Sequence, residues 1–123
     1  MRILLVDDEK ELVSTLAERL EMRGIDADWV TSGEAALKQA QTRSYDLAVL
    51  DIKIPGISGL TLQKILHQKY PEMKFIFITG HGSGYDFEIG SAKAGAENYL
   101  AKPVDITILI EKMHDVLNVR GGS

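Results

Sequence analysis

Cysteine is missing from this chain of 123 residues, which excludes disulfides and thiolate metal sites. Basic charge is in short supply: 14 Lys and Arg stand against 18 Asp and Glu, giving a formal net charge of -4, which argues against an electrostatic nucleic-acid binder. No apolar run approaches the ~18–20 residues of a membrane span, and the amino terminus lacks a signal peptide's apolar core. There is no internal repeat, no low-complexity segment and no linker before the terminal "RGGS". What is present is a 45% share of hydrophobic residues, enough for one packed core. The expectation is a soluble, cytoplasmic, single domain over residues 1–119, with 120–123 as the start of a linker or an expression remnant.

Three short apolar runs, Ile3–Val6, Leu47–Leu50 and Phe75–Ile78, are rich in β-formers and apolar at successive positions. Strands buried on both faces read this way, as in parallel sheets covered by helices. Asp26–Val30 and Asn98–Leu100 are shorter and more polar, as edge strands would be. Helical patterns lie between them. Leu12, Leu16 and Leu20 recur every four residues, with Gly24 at the C-cap. Thr31 and Glu34 suggest a capping box opening a helix through Ala36, Leu37 and Ala40. Leu62, Ile65 and Leu66 mark a third helix that ends before Pro71, Phe87 to Ala94 a weaker fourth, and Ile106, Leu109, Ile110, Met113 and Leu117 a fifth.

Strand and helix thus alternate five times, which implies right-handed crossovers and an open twisted sheet with its ligands beyond the carboxyl ends of the strands. The first strand ends on Asp7 and Asp8, the third on Asp51, the fourth on Thr79 and the fifth on Lys102. Carboxylates ~4 Å apart repel by about 4 kcal/mol at an effective dielectric of ~20, so this convergence calls for a cation. Mg²⁺ suits few carboxylates and open water positions. Metal, ammonium and hydroxyl together suit a phosphoryl group, and a carboxylate among them can be the nucleophile.

The stretches "ILLVDDE", "DLAVLDIKIPGISGL", "FIFITGHG" and "AGAENYLAKPV" carry a resemblance over essentially the whole chain. In order and spacing they resemble the receiver domain of the two-component response regulator family. The resemblance implies a flavodoxin-like (βα)5 three-layer sandwich with a parallel five-stranded sheet of order 2-1-3-4-5. It implies that Asp51 accepts a phosphoryl group from a sensor histidine kinase or phosphotransfer protein. Asp8 and Asp51 would then ligate Mg²⁺ directly, Asp7 through water, and Lys53 by its backbone carbonyl. Thr79 and Lys102 would contact the phosphoryl oxygens, Tyr99 would turn inward as a switch, and the Lys102–Pro103 bond would be cis. The surface of the fourth and fifth helices and fifth strand would then control an output domain or downstream protein. Neither a membrane nor direct nucleic-acid contact is implied, and the state is a monomer, with a dimer as an option on phosphorylation. Enzymatic action would be limited to self-directed phosphotransfer and slow autodephosphorylation, with Lys53 and His81 as tuning positions.

The sequence departs from the family in one place. Between Thr79 and Gly95 it holds one residue more than is usual, along with Gly80, Gly82, Gly84 and Gly90. Each site residue also has an ordinary structural use, since acids favour helix starts and a lysine beside a proline is commonly a surface residue. Those uses would all have to coincide at strand ends in the right order. A metal-dependent aspartyl-phosphate hydrolase is one alternative, although it would want acids two apart at one strand end. A phosphorylation-independent flavodoxin-like interaction module is the other, and would be expected to lack one of the five pocket residues.

Overall fold

Residues 1–80 and 98–118 are described by the structure, a computed structural model. The expected fourth helix, His81, Gly82, Gly84, Gly90 and the terminal "RGGS" lie outside these residues. The strands are β1 (Arg2–Val6), β2 (Asp26–Val30), β3 (Leu47–Asp51), β4 (Lys74–Thr79) and β5 (Tyr99–Ala101). The described helices are α1 (Lys10–Met22), α2 (Gly33–Thr42), α3 (Gly59–Lys69) and α4 (Ile106–Leu117), the last being the fifth helix of the sequence pattern. All strand pairs are parallel and the order is β2-β1-β3-β4-β5. The flavodoxin-like architecture expected from the sequence is the one observed.

The continuous apolar runs follow from burial on both sheet faces. Successive strand side chains point to opposite faces. Ile3 and Leu5 join Val49, Ile76 and Ile78 under α1 and α4, packed on Leu16, Leu20, Leu109 and Met113. Leu4 and Val6 face the other way, with Ala48, Leu50 and Phe77 against Ala36, Leu62 and Leu66 of α2 and α3. Two cores on one sheet make the three layers, and each fully buried Leu or Ile contributes about 1.5–3 kcal/mol.

Local chemistry sets the helix ends. Gly24 has φ +80°, its N–H donates to Glu21 O at 3.0 Å and the Ile25 N–H donates to Leu20 O at 3.0 Å. That is a Schellman ending, which a left-handed glycine permits without strain. At the start of α2 the capping residue is Ser32, not Thr31. Ser32 holds the extended backbone of an N-cap, and its Oγ accepts from the Ala35 N–H at 3.1 Å. Ser58 and Asp105 cap α3 and α4 in the same way.

β5 lies one residue later than Asn98–Leu100, because Thr79 pairs with Ala101 and extends the ladder to the end of β4. Lys102 N–H continues it by donating to Thr79 O at 2.8 Å. No helix among the described residues is long and apolar enough to cross a membrane.

Candidate functional site

β1 and β3 are neighbours in the sheet, so Asp7, just past the end of β1, and Asp51, the last residue of β3, come side by side. The same local device fixes both carboxylates. Asp7 Oδ1 accepts the Glu9 N–H at 2.9 Å, and Asp51 Oδ1 accepts the Lys53 N–H at 3.1 Å. Each is an Asx-type turn that clamps an acid with a backbone donor two residues on. Asp7 and Asp51 are buried and Asp8 is exposed, yet one oxygen from each of the three lies within 4.8 Å of the others.

Lys102 enters this group from the end of β5. Its Nζ lies 2.6 Å from Glu9 Oε1, 2.9 Å from Asp7 Oδ2 and 3.2 Å from Asp51 Oδ2. The Lys102 ammonium is thus shared among the carboxylates of Asp7, Glu9 and Asp51, and Asp8 adds a further acid to the Asp7–Asp51 oxygen cluster. Asp7 Oδ2 is buried and lacks a hydrogen bond of good geometry, although the ammonium is close. A cluster of carboxylate oxygens, one of them buried and under-satisfied, fits a hard divalent cation of the Mg²⁺ kind.

The electrostatics agree. Burial, then the neighbouring Asp7 charge, push the Asp51 carboxyl up to about 6, against the opposing pull of Lys102. Burial lowers the Lys102 pKa, but the adjacent carboxylates of Glu9, Asp7 and Asp51 more than offset it, so the ammonium is held charged.

Of the residues expected from the sequence, Asp7, Asp8, Asp51 and Lys102 are brought together. Thr79 is buried at the end of β4 and joined to Lys102 through their backbones. Lys53 contributes its N–H to Asp51. The Lys102–Pro103 bond is cis. Tyr99 is 6% exposed, packed in the core on the α2 and α3 side. An exposed ring that turns inward is therefore not the starting point in this structure. His67 packs edge-on against Phe75 with ring centroids 6.5 Å apart, and is remote in role from the acids.

Two residues escaped sequence reasoning. Glu9, the last residue of the "ILLVDDE" stretch, makes no side-chain cap bond to α1 and reaches Lys102 instead. A contact across 93 positions leaves no trace in local spacing. Gly59, inside the "IPGISGL" stretch, opens α3 directly against the Asp51 backbone. Its N–H donates to Ile52 O at 2.8 Å, and a Cβ there would lie 2.2 Å from the Asp51 carbonyl oxygen. Backbone cannot yield as a flexible side chain does. Gly59→Ala should therefore lower stability by about 1–3 kcal/mol and shift the Asp51 backbone resonances. Thermal melting and NMR check this, and an unperturbed variant would refute the close-approach role.

The fold and site define a class, and comparison with known proteins agrees. Residues 3–114 match the family described as "Response regulator receiver domain", and the chain belongs to that family. It is 34% identical over 117 residues to the transcriptional activator protein IrlR of Burkholderia pseudomallei, covering 95% of this chain and 50% of that protein. It is 36% identical over 102 residues to the alkaline phosphatase synthesis transcriptional regulatory protein PhoP of Bacillus subtilis, covering 83% of this chain and 42% of that protein. The chain spans about half the length of the curated relatives it matches. Among solved structures, a CheY-like response regulator receiver domain protein from Methanospirillum hungatei superposes with a TM-score of 0.86 at 31% identity, covering 98% of this chain and 96% of that one. The receiver domain of the Francisella response regulator 1452 gives a TM-score of 0.81 at 29% identity, covering 96% and 97%.

Proposed function

We propose that this chain, as a receiver domain over residues 1–119, is a phosphorylation-dependent switch with Asp51 as its phosphoacceptor. The supporting observation is the buried Asp51 carboxylate, clamped by the Lys53 N–H, within 4.8 Å of the Asp7 and Asp8 oxygens and beside the Lys102 ammonium. Asp51 attacks the phosphorus of a phosphohistidine on a partner kinase or phosphotransfer protein. The new O–P bond forms as the N–P bond breaks, and the imidazole nitrogen keeps the electron pair.

Asp8 and Asp51 would hold Mg²⁺ directly, Asp7 through water and Lys53 by its carbonyl. The metal, when bound, supplies neutralisation of phosphoryl oxygens. Lys102 and the Thr79 hydroxyl would take the remaining phosphoryl oxygens. Burial of Asp7 and Asp51 leaves little water at the nucleophile and strengthens each charge contact.

The output follows from Thr79, whose backbone is bonded to Lys102 and paired with Ala101 of β5. Movement of the Thr79 side chain toward a phosphoryl group would change the packing behind it, including what covers Tyr99, and so reshape the face of β5 and α4. Relatives named as transcriptional regulators suggest that this face controls transcription through an output domain or partner. Coupling of this kind is typically worth about 1–3 kcal/mol. Backbone NMR with Mg²⁺ and beryllofluoride, a phosphoryl mimic, should show shifts from Asp51 through Thr79 to Tyr99 and the first turn of α4. Shifts confined to the immediate neighbours of Asp51 would mean a phosphoryl carrier rather than a switch.

A further inference from the structure

We propose that Glu9 is a positioning residue that restrains Lys102 and competes with the phosphoryl group for its ammonium. The inference rests on the phosphoacceptor reading above and adds to it a device that sets how firmly the phosphorylated form is held. Three carboxylates, two from the β1–α1 junction and one from the end of β3, share the Lys102 Nζ, and the contact to Glu9, at 2.6 Å, is shorter than those to Asp7 and Asp51. An ammonium has three donors; here it donates to Glu9 and Asp51 and sits 2.9 Å from Asp7 Oδ2, so a newcomer must compete with acids already around it.

The three competitors differ in what happens when the site fills. Asp7 and Asp51 belong to the oxygen cluster that can take a cation, and Glu9 does not. With that cluster occupied, Glu9 is the acid still competing for Lys102. It is well placed to do so. Glu9 is the N-cap residue of α1 but makes no side-chain bond to the helix end, and its side chain is 61% exposed while that of Lys102 is 14% exposed. The acid therefore reaches inward from the rim to a partly buried cation. A phosphoryl group arriving on Asp51 needs the same ammonium that Glu9 now holds. Glu9 thus opposes the filled state, and an uncharged residue there should favour it.

The test is beryllofluoride binding to the whole chain at saturating Mg²⁺, followed by NMR or calorimetry. Glu9→Gln should tighten binding by about two- to fivefold, the range expected of one exposed ion pair. Raising the salt concentration should shrink that gain, because Glu9 is on the solvent side. Glu9→Asp keeps the charge but shortens the arm by one methylene, so it should tighten binding as the Gln variant does. Unchanged or weaker binding in Glu9→Gln overturns the proposal. Wild-type binding in Glu9→Asp also overturns it, because the effect would then belong to charge in the region and not to the contact. A wild-type chain that fails to bind beryllofluoride refutes the phosphoacceptor reading itself, and this inference with it.

Discussion

Asp51→Asn should eliminate phosphoryl labelling by a small phosphodonor such as acetyl phosphate, while the protein stays folded. The amide has nearly the same size, and its oxygen can still accept the Lys53 N–H now held at 3.1 Å. What it lacks is the nucleophilic oxygen pair and the charge. Burial and Asp7 disfavour ionised Asp51 in the fold, so neutralising it should raise metal-free stability at neutral pH by about 1–2 kcal/mol. Loss of labelling together with an equal or higher melting temperature separates chemistry from unfolding. Intact mass spectrometry and thermal melting give both readouts. A variant that gains a phosphoryl group at the wild-type rate would remove Asp51 from its assigned role.

Mg²⁺ should stabilise the fold strongly. Three carboxylates with oxygens within 4.8 Å of one another are brought together only in the folded state, so a cation they share binds that state. At a hundred times its dissociation constant, one bound ion contributes about 2.7 kcal/mol, which corresponds to roughly 10 °C in melting temperature for a domain of this size. The metal-free protein should also depend on pH. Asp51 titrates near 6 in the fold and near the ordinary carboxylate value when unfolded, so the folded state holds its proton more tightly. Its contribution is therefore full below about pH 4 and is lost as pH rises through about 6. With chelator, stability should fall across that window in the wild type and much less in Asp51→Asn. Equal melting temperatures in Mg²⁺ and in chelator would contradict the cation site.

Much of this was legible before the structure. The runs Ile3–Val6 and Leu47–Leu50 are apolar at every position because neighbouring residues feed two different cores, a pattern that periodicity detects directly. Strand ends then locate Asp7, Asp51, Thr79 and Lys102, since in a parallel sheet the chain order of the acids becomes proximity in space. The misreadings were local or long-range. Thr31 and Ser32 are adjacent hydroxyls, and only the backbone angles tell which one caps α2. β5 slid by one residue because its bounds are set by pairing with β4 and not by its own short sequence. Glu9 and Gly59 were missed because their roles depend on atoms that meet only after folding: the Lys102 ammonium in one case and the Asp51 carbonyl in the other. Tyr99 was placed on the right strand, but its burial depends on packing against Phe77 and its neighbours, which spacing does not encode.

The most direct measurement is to label the wild-type chain with acetyl phosphate and Mg²⁺, then map the modified peptide by mass spectrometry. Phosphoacceptor chemistry at Asp51 predicts one phosphoryl group, on the peptide carrying residue 51, removed by hydroxylamine as an acyl phosphate should be, and absent when Mg²⁺ is chelated. A stable phosphoryl group on a hydroxyl residue, or one carried by Asp7 or Asp8, would contradict it.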